Sequence, residues 1–291
     1  MADEISPITT RNGAFMGSRQ NLAECGIVLL GAPLDGTASY LPGSRFAPAS
    51  IRTVSTALET YSPVLDKDLT DVAYFDAGDV DFAFGNVSVA LAGIKKATAA
   101  IVQQGRRPMV MGGEHLITLP VVEAVYAAHP DLRVLHFDAH ADLRASYIGE
   151  KFSHATVFRY ISELIGADRV FQFGIRSGSR EEFAYGRANT RFFPHEVVAP
   201  MKSILAELAG HPLYISVDID VVDPAFAPGT GTPEPGGVAA AELLQAMDML
   251  APFNVVGWDV VEVCPPVDCG VITSVLAAKV MREALLIMGS S

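Results

Sequence analysis

The sequence has 291 residues, half of them apolar, which suits one large α/β domain with a sizeable buried core. Its formal net charge is −12 and the sequence has no basic cluster, which argues against a nucleic-acid partner. The three cysteines have no paired spacing, the N-terminus lacks a signal-peptide pattern, and no apolar run is as long as a membrane span. We therefore expect a cytoplasmic protein with neither disulfides nor a membrane partner.

Strand-like and helix-like segments alternate along the chain after a polar stretch, residues 1–20, that we expect to form a loosely held arm. The predicted strands cover 27–31, 72–75, 109–111, 132–137, 170–175, 191–193, 213–219 and 255–261, and the predicted helices cover 49–58, 87–104, 119–128, 156–165, 180–189, 201–208, 239–250 and 271–287. Such alternation predicts a mostly parallel sheet with helices on both faces, in a single domain spanning residues 1–291. An open sheet and a closed eight-fold barrel both fit this count.

Residues of the types that bind metal ions follow the central predicted strand at alternate positions. Asp138, His140 and Asp142 come directly after the apolar run that ends at Phe137. Side chains two residues apart in an extended chain point to the same side, so these three can converge on one point. Two carboxylates brought together repel each other unless a cation neutralises them. The alternative for this segment alone is a solvated polar turn.

Two further strand ends carry the same kinds of ligand. The β-rich run 213–217 ends in Asp218 and Asp220, and the run 109–111 breaks into two glycines before His115. In parallel α/β sheets, ligands bind at the carboxyl ends of the strands. Four aspartates and two histidines, without a thiolate, suit two divalent cations such as Mn²⁺ better than a closed thiolate zinc site.

Three segments together resemble the signatures of the ureohydrolase family, which contains arginases, agmatinases and related amidinohydrolases. The segments are Gly-Gly-Glu-His at 112–115, Asp-Ala-His-Ala-Asp at 138–142 and Ser-Val-Asp-Ile-Asp-Val-Val-Asp-Pro at 216–224. The resemblance extends from about Gly31 to the end of the last predicted helix. It implies an open three-layer α/β/α sandwich around a mostly parallel eight-stranded sheet, and a homotrimer or homohexamer.

The resemblance also implies a two-metal site. Its six ligands would be His115, Asp138, His140, Asp142, Asp218 and Asp220. Two-metal sites orient a shared water molecule and lower its pKa toward about 7. The spacing leaves open which of the two later aspartates bridges the ions.

Three residues are candidates for catalysis. From the residues alone, Glu262 is either a loop anchor or a site residue, and His154 is a surface histidine, a helix cap or a site residue. The family pattern places the glutamate on the guanidinium of the substrate, with which a carboxylate pairs bidentately. It places the histidine beside the metals as a proton shuttle, although Ala155 follows it where the family often has glycine. Asp142 would carry a proton to the leaving amine.

The loops at 40–46 and 174–178 resemble those of agmatinases more than those of arginases, so the expected substrate is agmatine, a small cationic guanidino compound, and the products are putrescine and urea. An alternative substrate is guanidinobutyrate, whose carboxylate would need a basic partner such as Arg45 or Arg176. Two other classes remain: a non-catalytic homologue that binds metal or polyamine, and a single-zinc deacetylase on a related fold. The full set of six ligands together with Glu262 argues against both.

Overall fold

A computed structural model of the protein describes residues 9–10, 13–83 and 85–289. Of the expected N-terminal arm, residues 1–8 and 11–12 lie outside these described residues. From residue 15 onward the chain is packed on the domain. Phe15 is buried, and its backbone N–H donates to Asp76 over 2.8 Å. The next residue, Met16, donates its N–H to the Ser55 hydroxyl over 3.0 Å.

The described residues form eleven strands and eight α-helices. The strands are β1 Thr9–Thr10, β2 Ile27–Ala32, β3 Tyr61–Ser62, β4 Lys67–Asp68, β5 Tyr74–Val80, β6 Arg107–Gly112, β7 Arg133–Phe137, β8 Val170–Ile175, β9 Arg191–Pro194, β10 Leu213–Asp218 and β11 Val255–Val261. The helices are α1 Ala47–Ser55, α2 Val87–Gln103, α3 Thr118–Ala128, α4 Val157–Ile165, α5 Arg180–Asn189, α6 Val198–Leu208, α7 Ala240–Asp248 and α8 Ile272–Met288.

Nine of the strands form one sheet in the order β1-β5-β2-β6-β11-β10-β7-β8-β9. Eight of them pair in parallel, and the short β1 adds to one edge in the antiparallel sense. The expected mostly parallel α/β sheet is therefore confirmed, with one more strand than the eight predicted. Within the described residues the sheet is open, because β1 and β9 lie at its two edges, so the chain does not form the closed barrel. The remaining pair, β3 and β4, forms a small separate hairpin.

Helices cover both faces of the sheet, giving the three layers. Side chains along a strand alternate between the two faces, so Ile27 and Leu29 of β2 join one buried core while Val28 and Leu30 join the other. The first core contains residues of α1, α6, α7 and α8, and the second contains residues of α2, α3 and α4. No helix in the described part of the chain is long and apolar enough to cross a membrane.

One predicted strand end is wrong. The carboxylates of Asp76 and Asp79 suggested that the strand stops at residue 75, but β5 continues to Val80. The reason is Arg52 on α1, a buried arginine whose Nε lies 2.8 Å from Oδ2 of Asp76 and whose NH1 lies 2.5 Å from Oδ1 of Asp79. This buried cation pairs with both carboxylates and lets a polar stretch remain in the sheet.

The four central strands position the site. β6, β11, β10 and β7 are neighbours in that order, and all four run parallel. Their carboxyl ends therefore meet along one edge of the sheet, where parallel α/β folds bind ligands.

Candidate active site

The turn after β6 delivers His115 to this edge. Gly113 lies so close to the loop after β2 that an added Cβ would lie 1.9 Å from the carbonyl oxygen of Leu34. The next backbone N–H, that of Glu114, donates to the same oxygen over 2.6 Å. Only glycine allows this approach, after which a short 3₁₀ turn, His115–Ile117, starts with the imidazole buried at the strand end.

The two ring nitrogens of His115 have different surroundings. Nδ1 lies 3.0 Å from Oδ2 of Asp138, 3.1 Å from Oδ2 of Asp218 and 3.4 Å from Oδ2 of Asp142. Among the described residues this buried atom has no partner in hydrogen-bond geometry. Nε2 lies 3.0 Å from the hydroxyl oxygen of Ser216. If Nε2 carries the proton, the Nδ1 lone pair points at three carboxylates, an arrangement that suits a shared cation.

A second group of ligands lies beside the first. Nδ1 of His140 is 2.9 Å from Oδ2 of Asp220 and 3.6 Å from Oδ1 of Asp138. Asp138 thus belongs to two clusters able to hold an ion, one with His115, His136 and Asp142 and the other with His140 and Asp220. The structure brings all six predicted ligands together at the ends of β6, β7 and β10.

The electrostatics of these carboxylates call for a cation. Burial raises the pKa of Asp142 and of Asp218 well above their usual range, and the charge of the neighbouring Asp138 raises both further. Without a counter-charge, carboxylates packed this closely would take up protons. A divalent cation would reverse the effect, since opposite charge favours the ionised form. Oxygen and imidazole donors in two overlapping groups fit two such ions.

Two site residues adopt left-handed backbone angles that side chains other than glycine rarely take. Asp142 has a φ of 52° and Glu262 a φ of 62°. Each lies just beyond a strand, where the chain turns and the side chain faces the site. Backbone strain of this kind costs on the order of 1–3 kcal/mol per residue and concentrates at functional sites.

Two hydrogen bonds join Glu262 to the turn that carries Gly113 and His115. Its Oε1 accepts the backbone N–H of His115 over 2.7 Å, and its own N–H donates to the carbonyl of Gly113 over 2.8 Å. Burial raises the pKa of Glu262 to about 8, and the neighbouring carboxylate of Glu114 adds to the increase. A cationic ligand beside Glu262 would lower that pKa again and keep the carboxylate ionised at neutral pH.

His154 lies in a 3₁₀ turn, His154–Thr156, capped by Ser153. Its backbone N–H donates to the hydroxyl oxygen of Thr37 over 3.0 Å. Its Nδ1 lies 3.3 Å from the same oxygen, and its Nε2 lies 3.3 Å from the hydroxyl oxygen of Ser39. Burial lowers the pKa of His154 to about 4, so the ring is neutral at physiological pH. This value lies well below the ordinary imidazole pKa of about 6.5.

A hydroxyl network behind His115 was not predicted from the sequence. Ser216 donates to Oδ1 of Asp259 over 2.7 Å, while Tyr214 and Thr118 donate to its Oδ2 over 2.5 Å and 2.9 Å. The chain His115–Ser216–Asp259 fixes the orientation of the imidazole, as hydrogen-bonded carboxylates do for metal-binding histidines. The available signal was Asp259 itself, a carboxylate in the middle of an otherwise apolar buried strand.

His136 packs against the ligands from within the sheet, where alternation along β7 placed it. Its Nε2 lies 2.7 Å from Oδ2 of Asp138, and its ring stacks on Phe158 with ring centroids 3.4 Å apart.

A cavity of about 210 Å³ opens above the ligands and is also lined by Glu262 and His154. Its wall includes eight residues that were not among the predicted catalytic residues or ligands: Ser39, Arg144, Tyr147, Ala155, Ser177, Gly178, Glu182 and Thr232. Two of them, Ser177 and Gly178, belong to the loop at 174–178 that resembles those of agmatinases. All eight lie in loops or at the start of a helix. In such segments the sequence has no hydrophobic periodicity from which the direction of a side chain could be predicted.

Arg45 and Arg176, the two candidate partners for a substrate carboxylate, are both engaged within the protein. Arg45 pairs with Asp35, with 2.5 Å between NH2 and Oδ1. The guanidinium of Arg176 donates to four backbone carbonyls, those of Gly174, Asp220, Val221 and Glu234.

Comparisons with known proteins agree with this geometry. Residues 25–287 match the model of the arginase family. An agmatinase of Bacillus subtilis is 48% identical over 94% of this chain and 95% of its own length. A guanidinobutyrase of Pseudomonas aeruginosa is 35% identical over 89% and 85% of the two chains. The crystal structure of a putative agmatinase from Clostridium difficile superposes with a TM-score of 0.89 at 41% identity, covering 92% of this chain and 99% of that one.

Proposed function

The chain belongs to the arginase family, and from that premise we propose that it hydrolyses agmatine to putrescine and urea with two Mn²⁺ ions. The observation that carries this proposal is the meeting of six candidate metal ligands at three strand ends, five of which line one cavity together with Glu262. The ligands that would hold the ions are His115, Asp138, His140, Asp142, Asp218 and Asp220. When bound, two divalent cations supply Lewis-acid chemistry that makes water a nucleophile near neutral pH.

Glu262 would bind and orient the guanidinium. A carboxylate and a guanidinium form two parallel charge-assisted hydrogen bonds, which fix both the plane and the position of the guanidinium carbon. One oxygen of Glu262 already accepts the N–H of His115, so the substrate would be held at a fixed place relative to the metal ligands. The positive guanidinium would also offset the burial that raises the pKa of this carboxylate.

Asp142 and His154 would handle the protons. Asp142 lies among the ligands and lines the cavity, where it would pass a proton to the departing amine. His154 lines the same cavity, and its neutral ring offers a lone pair that would take up a proton from this space and pass it to solvent.

The state of the two arginines supports an amine tail over a carboxylate tail. A guanidinobutyrate carboxylate would require a cationic partner, but Arg45 is paired with Asp35 and Arg176 is saturated by carbonyls. Arg144, the arginine in the cavity wall, is itself paired with Glu182, with 3.3 Å between Nε and Oε2. Freeing an arginine for the substrate would break its present ion pair or hydrogen bonds, which the substrate would have to replace.

Urea release tests the function. The protein, reconstituted with Mn²⁺, would be assayed on agmatine, guanidinobutyrate and arginine, with His140→Ala as a metal-site control. We expect agmatine to give the highest kcat/KM. A higher kcat/KM for guanidinobutyrate would establish the alternative substrate, and bound metal without urea release from any of the three would leave a binding protein.

We further propose a cytoplasmic homotrimer or homohexamer. The loops after β2, β7 and β10 expose large apolar side chains, with Tyr40 67%, Phe46 54%, Ile148 81% and Phe226 48% exposed, a pattern common at subunit interfaces. The three cysteines, Cys25, Cys264 and Cys269, are free thiols, as expected in a reducing compartment. Light scattering at micromolar concentration that detects only monomer would contradict the assembly, and imaging of a tagged chain would test the compartment.

A further inference from the structure

Glu114 is a buried carboxylate beside the metal ligands that belongs to neither ligand cluster. It precedes His115 in the chain, yet both of its oxygens are bonded to one residue of the loop after β2. Oε2 accepts the backbone N–H of Thr37 over 2.7 Å, and Oε1 accepts the hydroxyl of Thr37 over 2.8 Å. Burial raises the pKa of Glu114 to about 7, and the two bonds from Thr37 act against that increase. Two donors from a single residue match the acceptor geometry of the ionised carboxylate and stabilise it.

The Thr37 hydroxyl links this carboxylate to His154. A hydroxyl has one proton and two lone pairs. The proton is directed to Glu114, so the oxygen has only lone pairs for the histidine. It accepts the backbone N–H of His154 over 3.0 Å, and it lies 3.3 Å from Nδ1 of the same residue.

We propose that Glu114 and Thr37 are positioning residues that hold His154 in the tautomer with the proton on Nδ1, leaving Nε2 as the atom that exchanges protons in the cavity. Because the hydroxyl proton is committed to Glu114, Nδ1 must be the donor in its contact with Thr37. Nε2 then presents a lone pair, which can accept from the hydroxyl of Ser39, 3.3 Å away.

This arrangement follows the logic of a catalytic triad with a hydroxyl inserted between carboxylate and imidazole. In such constellations the group behind the ring selects the tautomer, and the opposite nitrogen does the chemistry. Here the three members come from loops after β2, β6 and β7. The role of Nε2 in agmatine hydrolysis rests on the proposed function. The assignment of the tautomer does not depend on that function.

The Glu114→Gln variant distinguishes this proposal from a role in which Glu114 only joins the two loops. The glutamine carbonyl can still accept the Thr37 N–H, so the loops stay joined. Its amide group, however, donates to the Thr37 oxygen and turns the hydroxyl proton toward Nδ1 of His154. The ring should then move its proton to Nε2, which is the wrong tautomer for the proposed role.

The tautomer can be read directly by solid-state NMR of the full chain labelled with ¹³C,¹⁵N-histidine and loaded with diamagnetic Mg²⁺. His154→Asn identifies the signals of His154 by their loss. We expect a protonated Nδ1 in the natural sequence and a protonated Nε2 in Glu114→Gln. A protonated Nε2 in the natural sequence, or no change in Glu114→Gln, would overturn the proposal whether or not the protein releases urea.

Kinetics supply the second readout. Thr37→Val removes the hydroxyl and should lower kcat on agmatine by about 10- to 100-fold with KM changed by less than about threefold, within the range for general acid–base steps. Thr37→Ser, which keeps the hydroxyl, should restore most of the turnover. In a His154→Asn background, Thr37→Val should cause no further loss, because both changes act through one ring. An equal loss in that background would show that Thr37 acts by another route and would also overturn the proposal.

Absence of turnover in the natural sequence would instead count against the proposed function, and the NMR result would still decide the tautomer.

Discussion

The backbone N–H of His115 donates to Oε1 of Glu262 over 2.7 Å, joining the end of β6 to the end of β11. The residue that would bind the guanidinium is therefore fixed to the segment that carries a metal ligand. Movement of either strand end would displace the other, because a second bond, from the Glu262 N–H to the Gly113 carbonyl, also joins them. The distance between the substrate and the ions would therefore depend on both bonds.

Replacing Glu262 with glutamine should impair catalysis and spare the metals. The glutamine side chain would keep the bond to His115 through its carbonyl oxygen, but it would lose the negative charge and one acceptor for the guanidinium. We expect kcat/KM to fall at least about 100-fold, roughly 2.7 kcal/mol, with part of the loss in kcat because the bond positions the reacting carbon. Steady-state kinetics and metal analysis on the same preparation would check this. Near-normal turnover, or loss of the ions, would show that Glu262 has a different role.

Replacing His140 or Asp220 with alanine should reduce both metal content and turnover. The two side chains face each other over 2.9 Å and belong to one ligand group, so either change removes one candidate ligand from that group. We expect substoichiometric metal by elemental analysis after gel filtration, and urea release reduced at least about 100-fold. His129→Ala, a histidine outside the site, is the matched control. Full activity of the chelated natural protein would refute a metal-dependent site altogether.

Asp259→Asn should weaken metal binding without touching a ligand. An amide cannot accept from Tyr214, Ser216 and Thr118 at once as the carboxylate does, so the Ser216 hydroxyl is released to turn toward His115. The imidazole would then carry its proton on the nitrogen that faces the ions. We expect metal affinity, measured by calorimetric titration, to fall about 10- to 100-fold. Asp248→Asn on α7 should leave it unchanged, and an unchanged affinity in Asp259→Asn would remove the orienting role.

Arg52→Met should destabilise the fold strongly. The change leaves the carboxylates of Asp76 and Asp79 without their cation, at a cost of about 3–5 kcal/mol for a broken buried pair. Arg191→Met, which breaks an exposed pair with Glu207, should cost less than about 1 kcal/mol. Urea unfolding followed by fluorescence of Trp258, the single tryptophan, would measure both. We expect one transition for the proposed single domain, and equal stabilities for the two variants would contradict the argument.

The central part of the fold and the meeting of the six candidate ligands at one edge of the sheet were predictable because both leave local patterns. The apolar runs of β7 and β10 mark buried strands, and the ligands follow those runs at alternate positions, as in Asp138, His140 and Asp142. Strand ends in a parallel sheet meet at one edge, so residues far apart in sequence could be assigned to one site. The geometry agrees with this reading at all three strand ends.

What could not be predicted depends on contacts between distant segments. The extension of β5 through Asp76 depends on Arg52, which lies 24 positions earlier and has no local signature. The contact between Thr37 and His154 spans 117 positions. The choice between an open sheet and a barrel depends on which strands pair at the edges, and strand periodicity contains no information about partners. The two-residue strands of the β3–β4 hairpin are too short to produce a periodic pattern.

The strand order also determines when the site can form as the chain is made. β10 and β11 lie between β6 and β7 in the sheet, but they are the last strands of the described chain. His115 and Asp138 therefore leave the ribosome long before the strands that separate and align them. Until residue 261 has emerged, β6 and β7 present open edges, and pairing over such sequence distances is slow. The six candidate ligands can therefore come together only after β10 and β11 have joined the sheet between β6 and β7.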